Sequence, residues 1–224
     1  MKGVFVTATG TGVGKTWLAS ALTSAFIEHG ATVASIKPME TGVDPDPMDA
    51  IELARACGQA SLAYAEGLYR AAPPLAPYAV EKTGGPGLGS LDALATRTRE
   101  LSEGADFAII EGAGGVLVPL DRQHTIADFA ACLGLPAVLV ARDALGVLSY
   151  TLTALEALHA RKVSVAAIVL NQVDEDPGQD ISHSSNADVL ADYLAQIPIV
   201  RVARVRRIED MREAANELRE ILES

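Results

Sequence analysis

The chain alternates short apolar runs, rich in β-branched residues, with longer segments rich in Ala and Leu. The short runs are apolar at consecutive positions, which is typical of strands covered by helices on both faces. They predict strands over residues 4–7, 32–36, 107–111, 137–141, 165–171 and 199–202. The longer segments predict helices over residues 15–29, 49–57, 90–103, 126–133, 148–160, 186–196 and 208–222.

This alternation of strands and helices indicates right-handed βαβ units in one domain that spans residues 1–224. The predicted fold class is α/β, with a doubly wound, mostly parallel sheet. Residues 68–89, which are rich in Pro and Gly, and the polar residues 174–185 are predicted to be irregular. In parallel sheets of this kind ligands bind beyond the carboxyl ends of the strands, so the residues that follow each strand are the candidates for chemistry.

Composition narrows the possible partners and the compartment. The chain has 29 acidic and 18 basic residues, a net charge of −11, which disfavours binding to nucleic acids and anionic membranes. Cys57 and Cys132 have neither metal-site nor disulfide spacing. Thr7 and Gly10 interrupt the first apolar run, and no stretch approaches the roughly 20 apolar residues of a membrane span. We therefore expect a cytoplasmic protein that binds neither nucleic acid nor membrane.

The strongest motif is Thr-Ala-Thr-Gly-Thr-Gly-Val-Gly-Lys-Thr at residues 7–16, between the first predicted strand and helix. Backbone N–H groups around Gly12, Val13 and Gly14 can approach phosphate oxygens, and the helix that follows favours anions. Lys15 is expected to reach the outer phosphates and Thr16 to bind Mg²⁺. The motif predicts a P-loop in a three-layer, P-loop NTPase-like sandwich, although Thr9 replaces the first glycine of the strict pattern. A glycine-rich turn entering a helix is the simpler alternative.

Acidic and basic residues at the ends of other predicted strands and helices are candidates for the same phosphate-binding site. Glu111 ends an apolar strand and is followed by glycines, so it is a candidate for Mg²⁺, as is Asp49 at a helix start. Lys37 follows the second predicted strand and could stabilise charge during phosphoryl transfer. Taken singly, each of these residues could equally be a surface charge, and Asp49 a helix-start residue that the dipole favours.

The nucleotide base is less clearly specified. Asn171 and Gln172 follow the fifth predicted strand, and Asn171 offers both an amide donor and an acceptor to a purine edge. The run Asn-Gln-x-Asp differs by one residue from the guanine-reading Asn-Lys-x-Asp of GTPases. The sequence therefore leaves the identity of the base open.

In combination these motifs resemble the dethiobiotin synthetase family over residues 4–202. They occur in family order: residues 7–16, Lys-Pro-x-x-Thr-Gly at 37–42, Glu-Gly-Ala-Gly-Gly at 111–115, and Asn171; Pro-Leu-Ala-Pro-Tyr at 74–78 also matches. The resemblance implies a homodimer that uses ATP, Mg²⁺ and CO₂ to close the ureido ring of 7,8-diaminopelargonate. It implies a carbamate and then a carbamic-phosphoric anhydride as intermediates.

The resemblance also assigns roles to residues. It implies that Lys37, Lys15 and Thr11 are catalytic and that Thr16, Asp49 and Glu111 surround Mg²⁺. It implies that the diamine is bound by Thr41 and, across the dimer interface, by the helix start at Gly146, Val147, Leu148 and Ser149. ATP contacts are expected from Gly12, Val13, Gly14, Lys15, Thr16, Trp17, Asp49, Glu111, Asn171, Gln172 and Arg204. Ser149 and Tyr150 stand where the family usually has Asn-His, and Ala8 where it usually has Gly.

Two other P-loop functions are alternatives. An amidoligase of the cobyrinate-amidating group would share the P-loop, but neither cysteine lies in a nucleophile-like turn. A switch ATPase of the partition or septum-positioning type usually carries another lysine early in the P-loop, where this chain has Gly10 and Gly12.

Overall fold

The protein is built on a parallel sheet of six strands, as shown by a computed structural model that describes residues 1–173, 180–194, 196–202 and 207–224. The strands are Gly3–Ala8 (β1), Val33–Ile36 (β2), Met39–Thr41 (β3), Tyr69–Ala71 (β4), Phe107–Glu111 (β5), Ala137–Arg142 (β6), Val165–Asn171 (β7) and Ile199–Val202 (β8). The order across the main sheet is β2-β5-β1-β6-β7-β8, and β3 pairs with β4 in a separate two-stranded parallel sheet.

Helices cover both faces of the main sheet. They are Lys15–Glu28 (α1), Met48–Ala56 (α2), Pro77–Lys82 (α3), Leu91–Leu101 (α4), Ile126–Leu133 (α5), Val147–His159 (α6), Asn186–Tyr193 (α7) and Arg212–Glu223 (α8). Short 3₁₀ segments occupy Ala60–Tyr64, Ile181–Ser184 and Ile208–Met211. Among the described residues, no helix combines the length and the apolar character that crossing a membrane would need.

The core lies in two layers, one on each side of the main sheet. Successive side chains of a strand point to opposite faces. Val4 and Val6 of β1 accordingly pack with α1 and α8, whereas Phe5 packs on the other face against Phe129 of α5, with ring centroids 6.0 Å apart. The apolar side of α8, including Leu218, is buried against α1. This confirms the expected α/β fold with helices on both faces.

Strand register brings the candidate site residues together. Ile36 at the end of β2 pairs with Ile110 of β5, and Val6 of β1 pairs with Glu111. The residues that follow β1 and β2 therefore lie beside the end of β5. This is the edge of the sheet where an α/β fold places its ligand.

The predicted elements are recovered with end shifts of a few residues, but the region 68–89 was only partly predicted correctly. It contains β4 and α3 as well as irregular chain, so the expectation of a wholly irregular connection was wrong. Of the second irregular region, residues 174–179 lie outside the described part of the chain.

Candidate functional site

The phosphate-binding loop joins β1 to α1 over residues 9–14. Gly14 precedes α1 with a φ of +93°, a left-handed conformation that glycine adopts without strain. A Cβ atom at this position would lie 2.3 Å from Nδ2 of Asn171, so only glycine fits there. Asn171 in turn donates from Nδ2 to the carbonyl oxygen of Val13 at 2.8 Å. This hydrogen bond links the end of β7 to the phosphate-binding loop.

Lys15 begins α1 and points back into the loop. Its Nζ donates to the carbonyl oxygen of Gly10 at 3.0 Å, and the side chain is buried. Burial, together with the charge of Lys37, lowers the pKa of the Lys15 ammonium to about 8. A negatively charged phosphate in the loop would add to the negative charge of Glu111 and Asp49, which offset the lowering only in part, and would favour the charged ammonium.

Lys37 forms the centre of the charged cluster. Its Nζ donates to Oδ2 of Asp49 at 2.9 Å and also to Oε1 of Glu111, which accepts a further hydrogen bond from Oγ1 of Thr16 at 2.9 Å. Burial by itself would lower the pKa of Lys37, but the two carboxylates outweigh burial and raise it. Lys37 therefore stays protonated at neutral pH.

The two carboxylates differ in their surroundings. Glu111 is fully buried, and burial raises the pKa of its carboxyl because Lys37 offsets the effect only in part. Asp49 is half-exposed in the first turn of α2, and there Lys37 outweighs burial and lowers the pKa of the carboxyl. Both carboxylates contact the ammonium of Lys37.

Oxygen ligands suitable for Mg²⁺ converge at this point. The Oγ1 of Thr16 and the carboxylates of Asp49 and Glu111 are the hard oxygen donors that Mg²⁺ prefers. Oε2 of Glu111 is buried and accepts no hydrogen bond from any described residue. The described residues hold no cluster of three or more His, Cys, Asp and Glu side chains, so phosphate oxygens or water would have to complete such a site. The donor set fits a magnesium ion bound together with a nucleotide.

A cleft of about 840 Å³ contains this cluster. Its lining includes Asn171, Gln172 and Met211, and also Thr41 and the 74–77 segment that leads into α3. Oδ1 of Asn171 is buried and has no partner among the described residues. The volume is large enough for a nucleotide with a second small molecule beside its terminal phosphate.

Most of the predicted site residues line this cleft, but not all do. Those that line it are Thr11, Gly12, Gly14, Lys15, Thr16, Trp17, Lys37, Thr41, Asp49, Glu111, Asn171 and Gln172. Val13 is buried beneath the loop and contributes its carbonyl group. Gly146, Val147, Leu148 and Ser149 form the start of α6 and lie outside the cleft lining, and Arg204 lies outside the described residues.

Glu40 is a cleft residue that the sequence did not predict. Its carboxylate accepts hydrogen bonds from the backbone N–H groups of Asp49 at 2.9 Å and Ala50 at 3.0 Å. Met48 and Met211 also line the cleft without having been predicted. Glu40 lies within the 37–42 motif, which was the available signal; nothing in the local pattern distinguished the two methionines from ordinary apolar residues.

Comparisons with known proteins agree with this geometry. A family model described as an AAA domain matches residues 2–212. The chain is 37% identical to the ATP-dependent dethiobiotin synthetase BioD of Anaeromyxobacter sp. (strain Fw109-5), over 94% of this chain and 93% of that protein. It is 43% identical to the protein of the same name from Caulobacter vibrioides (strain NA1000 / CB15N), over 80% of this chain and 84% of that protein.

Solved structures show the same fold at low sequence identity. The MinC:MinD cell division protein complex of Aquifex aeolicus matches with a TM-score of 0.59 at 14% identity, over 100% of this chain and 95% of that chain. The signal recognition particle receptor FtsY of Elizabethkingia anophelis matches with a TM-score of 0.53 at 15% identity, over 99% and 65% of the respective chains. At these identities the likeness concerns the fold alone.

Proposed function

The chain belongs to the family of ATP-dependent dethiobiotin synthetases, and from that membership we propose that it closes the ureido ring of dethiobiotin from 7,8-diaminopelargonate, CO₂ and ATP. The observation that carries this proposal is the meeting of Lys15 and Lys37 with Thr16, Asp49 and Glu111 in one cleft. Such an arrangement suits the transfer of a phosphoryl group to a weak nucleophile held beside it.

The proposed reaction has three steps. One amine of the diamine adds to CO₂ and loses a proton, which gives a carbamate. A carbamate oxygen attacks the γ-phosphorus of ATP, the bond to ADP breaks, and a carbamic-phosphoric anhydride forms. The second amine then attacks the carbonyl carbon, phosphate leaves with the electron pair of the C–O bond, and loss of a proton completes the ring.

The lysines have distinct proposed roles. Lys37 stays protonated between two carboxylates, so it can hold the carbamate and stabilise charge on the transferring phosphoryl group. Lys15 would contact the outer phosphates, and Thr11 would contact phosphate or carbamate from the cleft wall. Both lysines lie in a largely buried environment, where each electrostatic contact counts for more than in water.

We assign the Mg²⁺ ligands to Thr16, Asp49 and Glu111. Bound there with ATP, the ion would neutralise phosphate charge during transfer. Glu111 supplies a buried oxygen that no described residue contacts, which supports this assignment. Thr16 and Glu111 are already held together by their hydrogen bond, so these two ligands need little rearrangement.

We assign different parts of the cleft lining to the nucleotide base and to the diamine. Asn171 and Gln172 would border the nucleotide base, with Trp17 beside the loop and Arg204 as a further predicted contact. Thr41 and the 74–77 segment would border the diamine.

We further propose a cytoplasmic homodimer of single-domain subunits. The start of α6, at residues 146–149, lies outside the cleft of its own chain, so a contribution to substrate binding would have to reach the cleft of a second copy. The N-terminus of a helix suits an anionic group such as the carboxylate of the diamine.

The test is to incubate the purified protein with ¹⁴C-bicarbonate, ATP, Mg²⁺ and 7,8-diaminopelargonate. We expect labelled dethiobiotin, and ADP and phosphate formed in equal amounts with it. Omission of the diamine should abolish ADP formation, whereas a switch ATPase would continue to hydrolyse ATP. Folded protein that forms no labelled product would refute the proposal.

A further inference from the structure

Glu40 connects β3 to the start of α2 in an unusual way. Both of its carboxylate oxygens are used, one by the N–H of Asp49 at 2.9 Å and the other by the N–H of Ala50 at 3.0 Å. Pro47, at the N-cap of α2, makes no side-chain cap hydrogen bond. The amino terminus of α2 is therefore capped by a carboxylate from a separate β-strand.

This cap holds Asp49, the residue of α2 whose carboxylate binds Lys37. The N–H of Asp49 binds Glu40, while the carboxylate of the same residue binds Lys37 at 2.9 Å. Helix α2 has only nine residues, and the first turn of so short a helix frays readily unless its N–H groups are bound. Glu40 is buried, so its contacts with the helix are shielded from competing water.

The chemistry of the contact requires a carboxylate. Two backbone N–H donors meet two acceptor oxygens, and the negative charge also complements the positive end of the helix dipole. A glutamine would offer one acceptor oxygen and turn an NH₂ group towards the second N–H donor. Arg70 lies opposite Glu40 in the β3·β4 ladder, and the Glu40 carboxylate offsets part of the lowering that burial causes in the pKa of Arg70.

We propose that Glu40 is a positioning residue for the magnesium–nucleotide site. By holding the first turn of α2, it fixes the Asp49 carboxylate at the distance from Lys37 and Thr16 that metal binding needs. The inference rests on the proposed function only in requiring that the cleft bind a nucleotide with Mg²⁺. It does not depend on the diamine.

The experiment compares ADP binding with and without metal. Affinity for ADP is measured by calorimetry in saturating Mg²⁺ and again in EDTA, for the unaltered protein and for Glu40→Gln. We expect Glu40→Gln to weaken binding in Mg²⁺ about tenfold and to change binding in EDTA by less than about twofold. In the nucleotide-free protein, hydrogen exchange at the amides of Asp49 and Ala50 should accelerate in the variant.

Arg55→Gln provides the control in the same helix. Arg55 lies in the last turn of α2 outside the cleft lining, and its guanidinium pairs with Glu52 at 3.2 Å. The substitution removes one charge from the same helix while leaving the cap intact. We expect ADP affinity in Mg²⁺ and exchange at Asp49 to match those of the unaltered protein.

Three outcomes would overturn the proposal. Equal losses of ADP affinity in Mg²⁺ and in EDTA would mean that Glu40 serves only the stability of the cleft. Unchanged ADP affinity in Mg²⁺ would mean that Glu40 does not support the metal–nucleotide site. Unchanged exchange at both amides would mean that it does not hold the helix.

A second variant covers the case in which Glu40→Gln fails to fold. Glu40→Asp keeps the charge but shortens the side chain, so it cannot reach both amides at once. It should show the same metal-specific loss of ADP affinity, and a loss that is independent of metal would again overturn the proposal. Because these measurements omit the diamine, they stand whether or not the protein forms dethiobiotin.

Discussion

Lys37 and Glu111 form a buried ion pair at the ends of the neighbouring strands β2 and β5. The Lys37 side chain is 4% exposed and that of Glu111 is 0% exposed. Buried charges are costly unless they are paired, so each of these side chains depends on the other. The pairing leaves Oε2 of Glu111 without a partner among the described residues, which keeps one carboxylate oxygen available at the candidate metal site.

The first prediction concerns stability. Lys37→Met leaves Glu111 buried without a counter charge, and we expect a loss of about 3 kcal/mol in the free energy of unfolding at pH 7. Without Lys37 the pKa of Glu111 rises further, so the carboxyl takes up a proton in the folded state as the pH falls. The loss should therefore be smaller at pH 5 than at pH 7, as measured by urea unfolding.

The double variant Lys37→Met/Glu111→Gln is the control for this effect. It removes both charges, and it should recover most of the stability lost by Lys37→Met alone. Equal stability losses for Lys37→Met at pH 7 and pH 5 would show that the penalty does not come from the ionised Glu111.

The second prediction concerns turnover. Lys37→Ala removes the ammonium from the position where charge develops during phosphoryl transfer, while the phosphate-binding loop is unchanged. We expect ADP binding to be retained and kcat to fall by at least about a hundredfold. Product formation is followed with labelled bicarbonate, at a temperature where thermal unfolding shows that the variant is folded. Unchanged turnover would remove Lys37 from the mechanism.

The third prediction is a pH dependence of nucleotide binding. The pKa of Lys15 is about 8 in the free protein, and a bound phosphate would raise it by favouring the charged form. Above pH 8 the free protein must take up a proton in order to bind. The affinity for ADP should therefore fall as the pH rises, approaching about tenfold per pH unit above pH 8.

Binding can be followed through Trp17, which lines the cleft and is the only tryptophan in the chain. We expect its fluorescence to change when ADP is added. Lys15→Arg keeps its positive charge throughout this range, so its ADP affinity should vary little between pH 7.5 and about pH 9.5. A sloping profile for Lys15→Arg would assign the effect to another group.

Consecutive apolar residues were sufficient to predict the six strands of the main sheet, because most of their residues are buried on both faces; in the edge strand β8 only Arg201 is exposed. The strands β3 and β4 were missed because three residues are too short to show a period of two. Helix α3 was missed for a similar reason, since its six residues lie in a region where prolines and glycines dominate.

The site was predictable wherever a motif follows a strand directly. Lys15, Lys37 and Glu111 were identified in this way, and strand register brings them together. Glu40 was not identified, since its partners are backbone amides nine and ten positions later. Every residue except proline has a backbone N–H group, so the residue types at positions 49 and 50 do not reveal that their amides bind a carboxylate.

The fourth prediction concerns the glycines of the phosphate-binding loop. Gly14→Ala would place Cβ 2.3 Å from Nδ2 of Asn171 and would strain a backbone with φ of +93°. We expect nucleotide binding to be lost, with a destabilisation of about 1–3 kcal/mol. Gly10 has a φ outside the left-handed region and open space around its Cβ position, so Gly10→Ala should change stability by less than about 0.5 kcal/mol.

A double variant separates the steric clash at Gly14→Ala from the strain in its backbone. Adding Asn171→Ala to Gly14→Ala removes the clash but not the strained φ, so it should restore only part of the lost stability. Thermal unfolding and ADP titration measure both effects. Full stability of Gly14→Ala alone would contradict the close packing of Asn171 on the loop.

The fifth prediction concerns the proposed dimer. Leu145 precedes α6 with 83% of its side chain exposed, and its N–H donates to Oδ2 of Asp180 at 2.8 Å. The adjacent Ile181 is 87% exposed, and Tyr150 is 65% exposed. Exposed apolar side chains close to one another are typical of contact surfaces, and the start of α6 is the segment proposed to reach a second copy.

We expect the unaltered protein to elute at twice the mass of one chain in light-scattering chromatography. Leu145→Asp should shift the mass towards that of one chain and raise the KM for the diamine, because the α6 start would no longer reach the neighbouring cleft. Tyr64→Asp serves as the control. Tyr64 is also exposed, but it is distant in sequence from α6, and its hydroxyl group donates a hydrogen bond to Asp46. A dimer that survives Leu145→Asp with an unchanged KM would place the interface on another surface.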